Sequence, residues 1–217
     1  MDPLEHITEE TIKRYSDRFS KLGENVKSLG WGTREQQAYR FSQTVFSDFG
    51  SKTILDIGCG FCDYYSFLKE IGNAPAKYIG WDINEDLLQV ARKRFGTDEK
   101  VEIRNESIAG ITGKNGQDTA HIGVMLGVLN FNLRNKGIDN YNYSKLLITN
   151  AFKLVNEVLI VDFLSSYRTP EYAPEDFVFY HDPAVMLDFA LNLSSNAVLK
   201  HNYDPIPQKE FMLFIYK

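Results

Sequence analysis

The chain has 217 residues, is 43% hydrophobic and carries a formal net charge of -5. That size suits one α/β domain with an added segment and a substantial core. The acidic balance lacks the basic footprint of a nucleic-acid binder, no apolar run approaches a membrane span, and two cysteines close in sequence exclude a disulfide framework. The opening Met1-Asp2-Pro3-Leu4-Glu5-His6 has no basic start and no apolar run. No signal peptide is therefore expected, and a reducing, cytoplasmic setting is.

In chain order, residues 8–22 read as an amphipathic helix, with Ile12, Tyr15, Phe19 and Leu22 at helical spacing. A glycine-punctuated link around Trp31 follows. Thr33 and Gln36 form a capping box for a second helix expected to run to Phe49, closed by Gly50. Strand and helix then alternate. A strand over 52–57 meets a glycine turn and a helix from Cys62 or Asp63 to Ile71. A strand over 77–82 precedes a helix capped by Asn84 and closed by Gly96. Further strands are expected at 100–104, from Asp118 to Leu126 and at 158–163, with a helix over 143–155. Asp182-Pro183 starts a short helix. Asn196 to Asn202, a turn at 204–207 and Glu210 to Tyr216 read as a hairpin. Repeated βα units imply a parallel sheet with helices on both faces. Residues 1–217 are expected to form one domain, with 1–50 as a helical cap and 51–217 as the core. Arg92-Lys93-Arg94, the densest basic cluster, falls late on a helix, where cations favour the dipole.

The stretch Ile54-Leu55-Asp56-Ile57-Gly58-Cys59-Gly60 is an apolar run ending at an acid and a glycine turn. Asp82 ends the next strand, about 20 residues on, where an acid can accept from ribose hydroxyls. A dinucleotide fingerprint would place glycine at position 63, but Asp63 stands there, and pyrophosphate at that helix N-terminus would meet its charge. Cys59-Gly60-Phe61-Cys62 has redox-pair spacing, but it is better read as small residues filling the turn. No other cysteine exists to complete the usual four-ligand zinc site, and no metal is expected.

With Tyr78-Ile79-Gly80-Trp81-Asp82-Ile83, this stretch resembles the class I S-adenosylmethionine (SAM) methyltransferases, although Cys62 replaces the usual last glycine. The likeness covers roughly 53–161. The Leu-Gly-Trp-Gly run before the second helix resembles the N-terminal extension of poorly characterised bacterial members. The resemblance implies an α/β, Rossmann-like, seven-stranded and mostly parallel sheet with a C-terminal antiparallel hairpin, preceded by two N-terminal cap helices. It also implies SAM as cofactor. Asp56 would organise the turn; Gly58, Cys59 and Gly60 would line the cofactor by backbone; Asp82 would hold ribose and Ile83 adenine. Glu106, with Ser107 and Ile108, follows the third strand where an acid often accepts from adenine, and Leu126 and Gly127 lie where backbone often meets the methionine portion. Tyr15 and the stretch from Trp31 to Arg34 would cover the cofactor.

Methyl transfer demands an in-line acceptor, and a base only if the acceptor arrives protonated. Acceptor-side candidates are Trp31, Arg34, Asn130, Asn132 and Arg134, then Tyr167, Arg168, Tyr172 and Tyr180, with His181 as a weak candidate for the base. Neither an Asn/Asp-Pro-Pro motif nor a Pro-Cys nucleophile is present. That pattern, with the acidic charge, favours a small polar or sugar-like acceptor over nucleic acid. A nicotinamide-dependent oxidoreductase, an aminopropyltransferase and a non-catalytic SAM-binding sensor or partner subunit stay open as alternatives.

Overall fold

The computed structural model describes residues 2–111, 119–134 and 136–217. Its strands run β3-β2-β1-β4-β5-β7-β6 in one seven-stranded sheet. The fold is the expected Rossmann-like α/β arrangement, parallel among β1, β2 and β3 and between β4 and β5, and antiparallel at β7. The chain divides into two compact units, Met1–Ser107 and Ile108–Lys217.

The first unit opens with α1 (Pro3–Leu22), longer than expected. Asp2 caps it by accepting from Leu4 N, and Pro3 supplies a preset first-turn φ. A 3-10 turn (Val26–Leu29) leads to α2 (Arg34–Ser42), whose Thr33–Gln36 capping box forms as expected. This helix stops seven residues short of Phe49. The Thr44 hydroxyl takes up the Phe41 carbonyl at 2.7 Å and meets the Tyr64 hydroxyl at 2.7 Å. A side chain thereby replaces the next helical bond. Phe49 still enters the core, from a loop held by the Asn73 amide.

Next come β1 (Thr53–Ile57), α3 (Asp63–Glu70), β2 (Lys77–Asp82), α4 (Glu85–Phe95) and β3 (Val101–Asn105). β1, β2 and β3 pair in parallel, so their carboxyl ends share one edge. β1 and β2 are almost wholly buried, as expected for strands covered on both faces.

The second unit contains β4 (Ala120–Met125), α5 (Asn140–Lys153), β5 (Val155–Leu164), α6 (Pro183–Leu193), β6 (Ala197–Lys200) and β7 (Glu210–Tyr216). Asp118, the expected start of β4, lies outside the described residues. α5 begins at Asn140 because Asp139 accepts from Asn142 N. β4 and β5 are parallel, whereas β7 runs antiparallel to both β5 and β6. The carboxyl ends of β5 and β6 therefore share an edge. Among the described residues, no helix is long and apolar enough to cross a membrane.

Candidate functional site

In open α/β sheets, ligands bind beyond the carboxyl ends of the strands. In the first unit that edge carries a glycine turn anchored by β2. Gly58 N and Cys59 N both donate to the Trp81 carbonyl, at 2.7 and 3.0 Å. Gly60 sits at φ +53°, and a Cβ there would lie 2.9 Å from a Leu29 methyl. Only glycine meets both demands. Cys62 follows at φ +58°. Gly58 is exposed, leaving backbone open to a ligand.

Asp82 organises the turn from across the strands. One carboxylate oxygen accepts from Gly60 N at 2.8 Å, the other from Asn84 N at 2.9 Å. Burial raises its pKa, and the three backbone donors at Asn84, Gly60 and Ile83 oppose the rise. Each oxygen retains acceptor capacity beyond these bonds, so the carboxylate fits a pair of ribose hydroxyls. The Asp82 carbonyl also accepts from Glu106 N at 3.1 Å. That bond holds exposed Glu106 and half-buried Ser107 beside the acid, and Ile83 is half-buried next to it.

Asp56 lies deeper. It is buried and accepts a hydrogen bond from the Tyr78 hydroxyl. Burial pushes its carboxyl up to about 7, against the pull of that bond. That bond joins β1 to β2.

Asp63 is not a bare acid. Its carboxylate takes Arg94 Nη1 at 2.6 Å and Gln37 Nε2 at 3.1 Å, while Arg94 also reaches Glu24 and the Phe61 carbonyl. The charge that argued against pyrophosphate is thus answered within the protein. The two cysteines pack on Gly80, where an added Cβ would lie 2.9 Å from Cys59 Sγ and 3.1 Å from Cys62 Sγ. Burial, then Cys62 itself, pushes the Cys59 thiol well up, the opposite of an activated thiolate. Among the described residues no cluster of metal donors occurs.

The residues expected to form a cover lie in the same unit. Tyr15 on α1 is half-buried, and burial, with Asp82 contributing, raises its phenol pKa. Trp31 packs inward, its ring 4.3 Å from the Arg40 guanidinium and 5.6 Å from Phe41, while Arg34 is exposed.

In the second unit, buried Leu126 leads into Gly127 (φ +77°), whose N–H donates to Asp162 Oδ1 at 2.6 Å. Ile108, at the start of this unit, is buried, and its carbonyl accepts from the Asn150 amide. The loops after β4 and β5 are stitched together by their own polar groups. Asn130 Oδ1 accepts from Leu164 N, and its carbonyl accepts from Phe179 N, both at 3.0 Å. Asn132 donates to the Asp176 carbonyl, and Arg134 pairs with the Asp176 carboxylate on the surface. Asn140 braces the first loop through Leu133 N and the Phe131 carbonyl. Asn130, Asn132 and Arg134 thus each contribute a polar contact to these loops.

The base reading of His181 needs correcting. The residue is fully buried, with Nε2 2.9 Å from Ser144 Oγ and the ring packed against Phe163, Phe179 and Tyr141. Burial pushes its pKa down to about 3. Tyr180 is tied by its hydroxyl to Glu175 N, and Arg168 lies over its ring; Tyr172 sits in a turn on Thr169. Tyr167 is 64% exposed, with its ring edge towards His201.

Sequence reading missed a second histidine. His201 Nε2 lies 3.0 Å from Ser165 Oγ at the shared edge of β5 and β6, and Tyr167 N donates to the same hydroxyl at 3.1 Å. Burial, then Lys209, lowers the His201 pKa, which favours the neutral imidazole. The two residues lie 36 apart in sequence, and only the terminal hairpin unites them.

Residues 54–140 match the family model described as "Methyltransferase domain". No curated protein sequence matches the chain. Among solved structures, magnesium protoporphyrin IX methyltransferase from Synechocystis PCC 6803, with bound S-adenosylhomocysteine (SAH), is similar at TM-score 0.64 and 12% identity, covering 98% of this chain and 97% of that one. Phosphoethanolamine N-methyltransferase 1 from Haemonchus contortus, in complex with phosphoethanolamine and SAH, is similar at TM-score 0.63 and 10% identity, covering 98% and 50%. A SAM-dependent methyltransferase from Archaeoglobus fulgidus gives TM-score 0.59 at 12% identity, covering 86% and 95%. The glycine turn and the strand-end acid lie within the stretch that matches the methyltransferase domain, and the chain shares its fold with SAM-dependent methyltransferases.

Proposed function

We propose that the protein moves the SAM methyl group to a small polar or sugar-like acceptor in the cytoplasm, without nucleic acid or membrane as partner. The observation that carries the cofactor half is the Asp82 carboxylate, latched to Gly60 N and Asn84 N yet still able to accept from two hydroxyls. In this reading Gly58, Cys59 and Gly60 line the cofactor by backbone, Ile83, Glu106, Ser107 and Ile108 serve adenine, and Asp56 and Leu126 serve the amino-acid end. α1 and α2 act as a cover, and residues 1–217 work as one domain. When bound, the cofactor supplies an electrophilic methyl on a sulfonium. The protein's task is to hold the acceptor in line with it.

On the acceptor side, Ser165 and His201 replace His181 as the polar pair of interest, with Tyr167 exposed beside them. A neutral imidazole can take a proton from an acceptor hydroxyl. Of the similar structures, one is named for phosphoethanolamine and another for magnesium protoporphyrin IX. Acceptors so different leave the choice to the local polar groups and the acidic charge.

The test is calorimetric titration with SAH, with NAD as the matched control because Arg94 neutralises Asp63. Binding of SAH alone supports the reading, and binding of NAD alone overturns it. Methyl transfer to any member of a panel of hydroxylated and amino compounds excludes a purely sensing role.

A further inference from the structure

Asn84 uses every hydrogen-bonding group it has, and in three directions. It is 1% exposed. Its backbone N–H donates to Asp82 Oδ1 at 2.9 Å. Its side-chain oxygen accepts from Asp86 N and Leu87 N, at 3.0 and 3.3 Å, and so caps α4. Its amide nitrogen donates to the Ile12 carbonyl at 3.0 Å and to Ser16 Oγ at 3.1 Å, both on α1. Ser16 in turn donates to Asp86 at 2.6 Å. The amide cannot be turned around. The cap needs an acceptor, and the Ile12 carbonyl needs a donor.

A cap alone requires an oxygen, which Asp or Ser would supply equally well. The amide does more. It joins the acid assigned to the cofactor with the helix assigned to the cover. Tyr15, one residue before Ser16, feels the charge of the same acid, though burial is the larger cause of its raised pKa.

We propose that Asn84 is a positioning residue of the cofactor site: it latches α1 over Asp82, so that the cofactor leaves only when α1 lifts from the amide. This rests on the cofactor placement proposed above. Opening breaks both amide bonds to α1 together while the α4 cap stays closed.

Asn84→Ser separates the two roles. Serine caps a helix as well as asparagine does, but it is too short to hold both α1 partners, and it adds no charge beside Asp82. The measurements are hydrogen exchange of α1 and α4 amides and the dissociation rate of SAH. The expected result is exchange in α1 and SAH release both faster by about tenfold, the equivalent of roughly one to two lost hydrogen bonds, with α4 protection unchanged. Ser16→Ala, which leaves Asn84 in place, moves both readings the same way by a smaller factor. SAH release at the wild-type rate in both variants overturns the proposal. So does loss of protection in α4 together with α1, which would make Asn84 a cap and nothing more. If the wild-type protein takes up no SAH, the cofactor reading fails and its retention role with it. Exchange in α1 then still shows whether the latch itself exists, because that reading needs no ligand.

Discussion

The two compact units use one device in different surroundings. In the first, the β2 acid Asp82 takes the N–H of Gly60, a positive-φ glycine after β1. In the second, the β5 acid Asp162 takes the N–H of Gly127, a positive-φ glycine after β4. A charged acceptor on one strand thus fixes a glycine turn on another. Around Asp82 the other partners are backbone groups within a few residues. Around Gly127 the loops are held by side-chain amides from Asn130, Asn132 and Asn140. Backbone anchoring leaves a turn rigid and open to a ligand, whereas amide stitching consumes the polar groups a ligand would need.

The units also oppose each other in pH dependence, and this is the largest effect expected. Asp56 has a folded-state pKa raised from 3.8 to about 7. Between those values the unfolded chain releases a proton that the folded chain keeps, so stability falls as pH rises. His181 has a folded-state pKa lowered from 6.5 to about 3. Between those values the unfolded chain takes up a proton that the folded chain refuses, so stability falls as pH drops. Each contribution is on the order of 4 kcal/mol at full extent, and between about pH 4 and 6.5 they largely cancel. In a series of urea melts across that window, Asp56→Asn should gain stability with rising pH relative to wild type. His181→Phe should lose it. Parallel curves for the two variants would break the comparison.

Gly60→Ala comes next. Left-handed backbone costs a non-glycine residue about 1–2 kcal/mol, and the Leu29 contact adds about 1 kcal/mol or more. The variant should melt earlier and bind SAH at least tenfold more weakly. Asp82→Ala should cost about 1.5–3 kcal/mol of SAH affinity, read by calorimetry; wild-type affinity in a folded variant removes the ribose assignment. Asn130→Ala sharpens the contrast from the other unit. It strands the Leu164 N–H and should lose about 1–2 kcal/mol of stability in denaturant melts. SAH affinity should stay unchanged, as suits a loop brace.

What the sequence made legible follows the same division. The glycine turn, Asp82, the Asn84 cap and β2 were readable because residue type and spacing specify them locally. The end of α2 was not. The apolar stripe continued to Phe49, but Thr44 closed the helix by bonding Tyr64, 20 residues away. His181 looked like a base by type, and its burial depends on Phe163, Tyr141 and Ser144, none of them near it in sequence. Asn130 and Arg134 were candidates for the acceptor side by residue type and position, and their partners lie 34 and 42 residues on. The Ser165–His201 pair and the bonds from Asn84 to α1 belong to the same class of information. They exist only once the chain has closed on itself.

Gly80 carries one more consequence. Its bare Cα leaves room for the two sulfurs beneath the glycine turn, and any side chain there would press upward on both. The middle of β2 thus acts as a spacer that sets the height of the turn above the sheet, and with it how far backbone N–H groups stand from whatever they hold. A residue with no functional group of its own can thereby gauge the depth of the proposed cofactor seat.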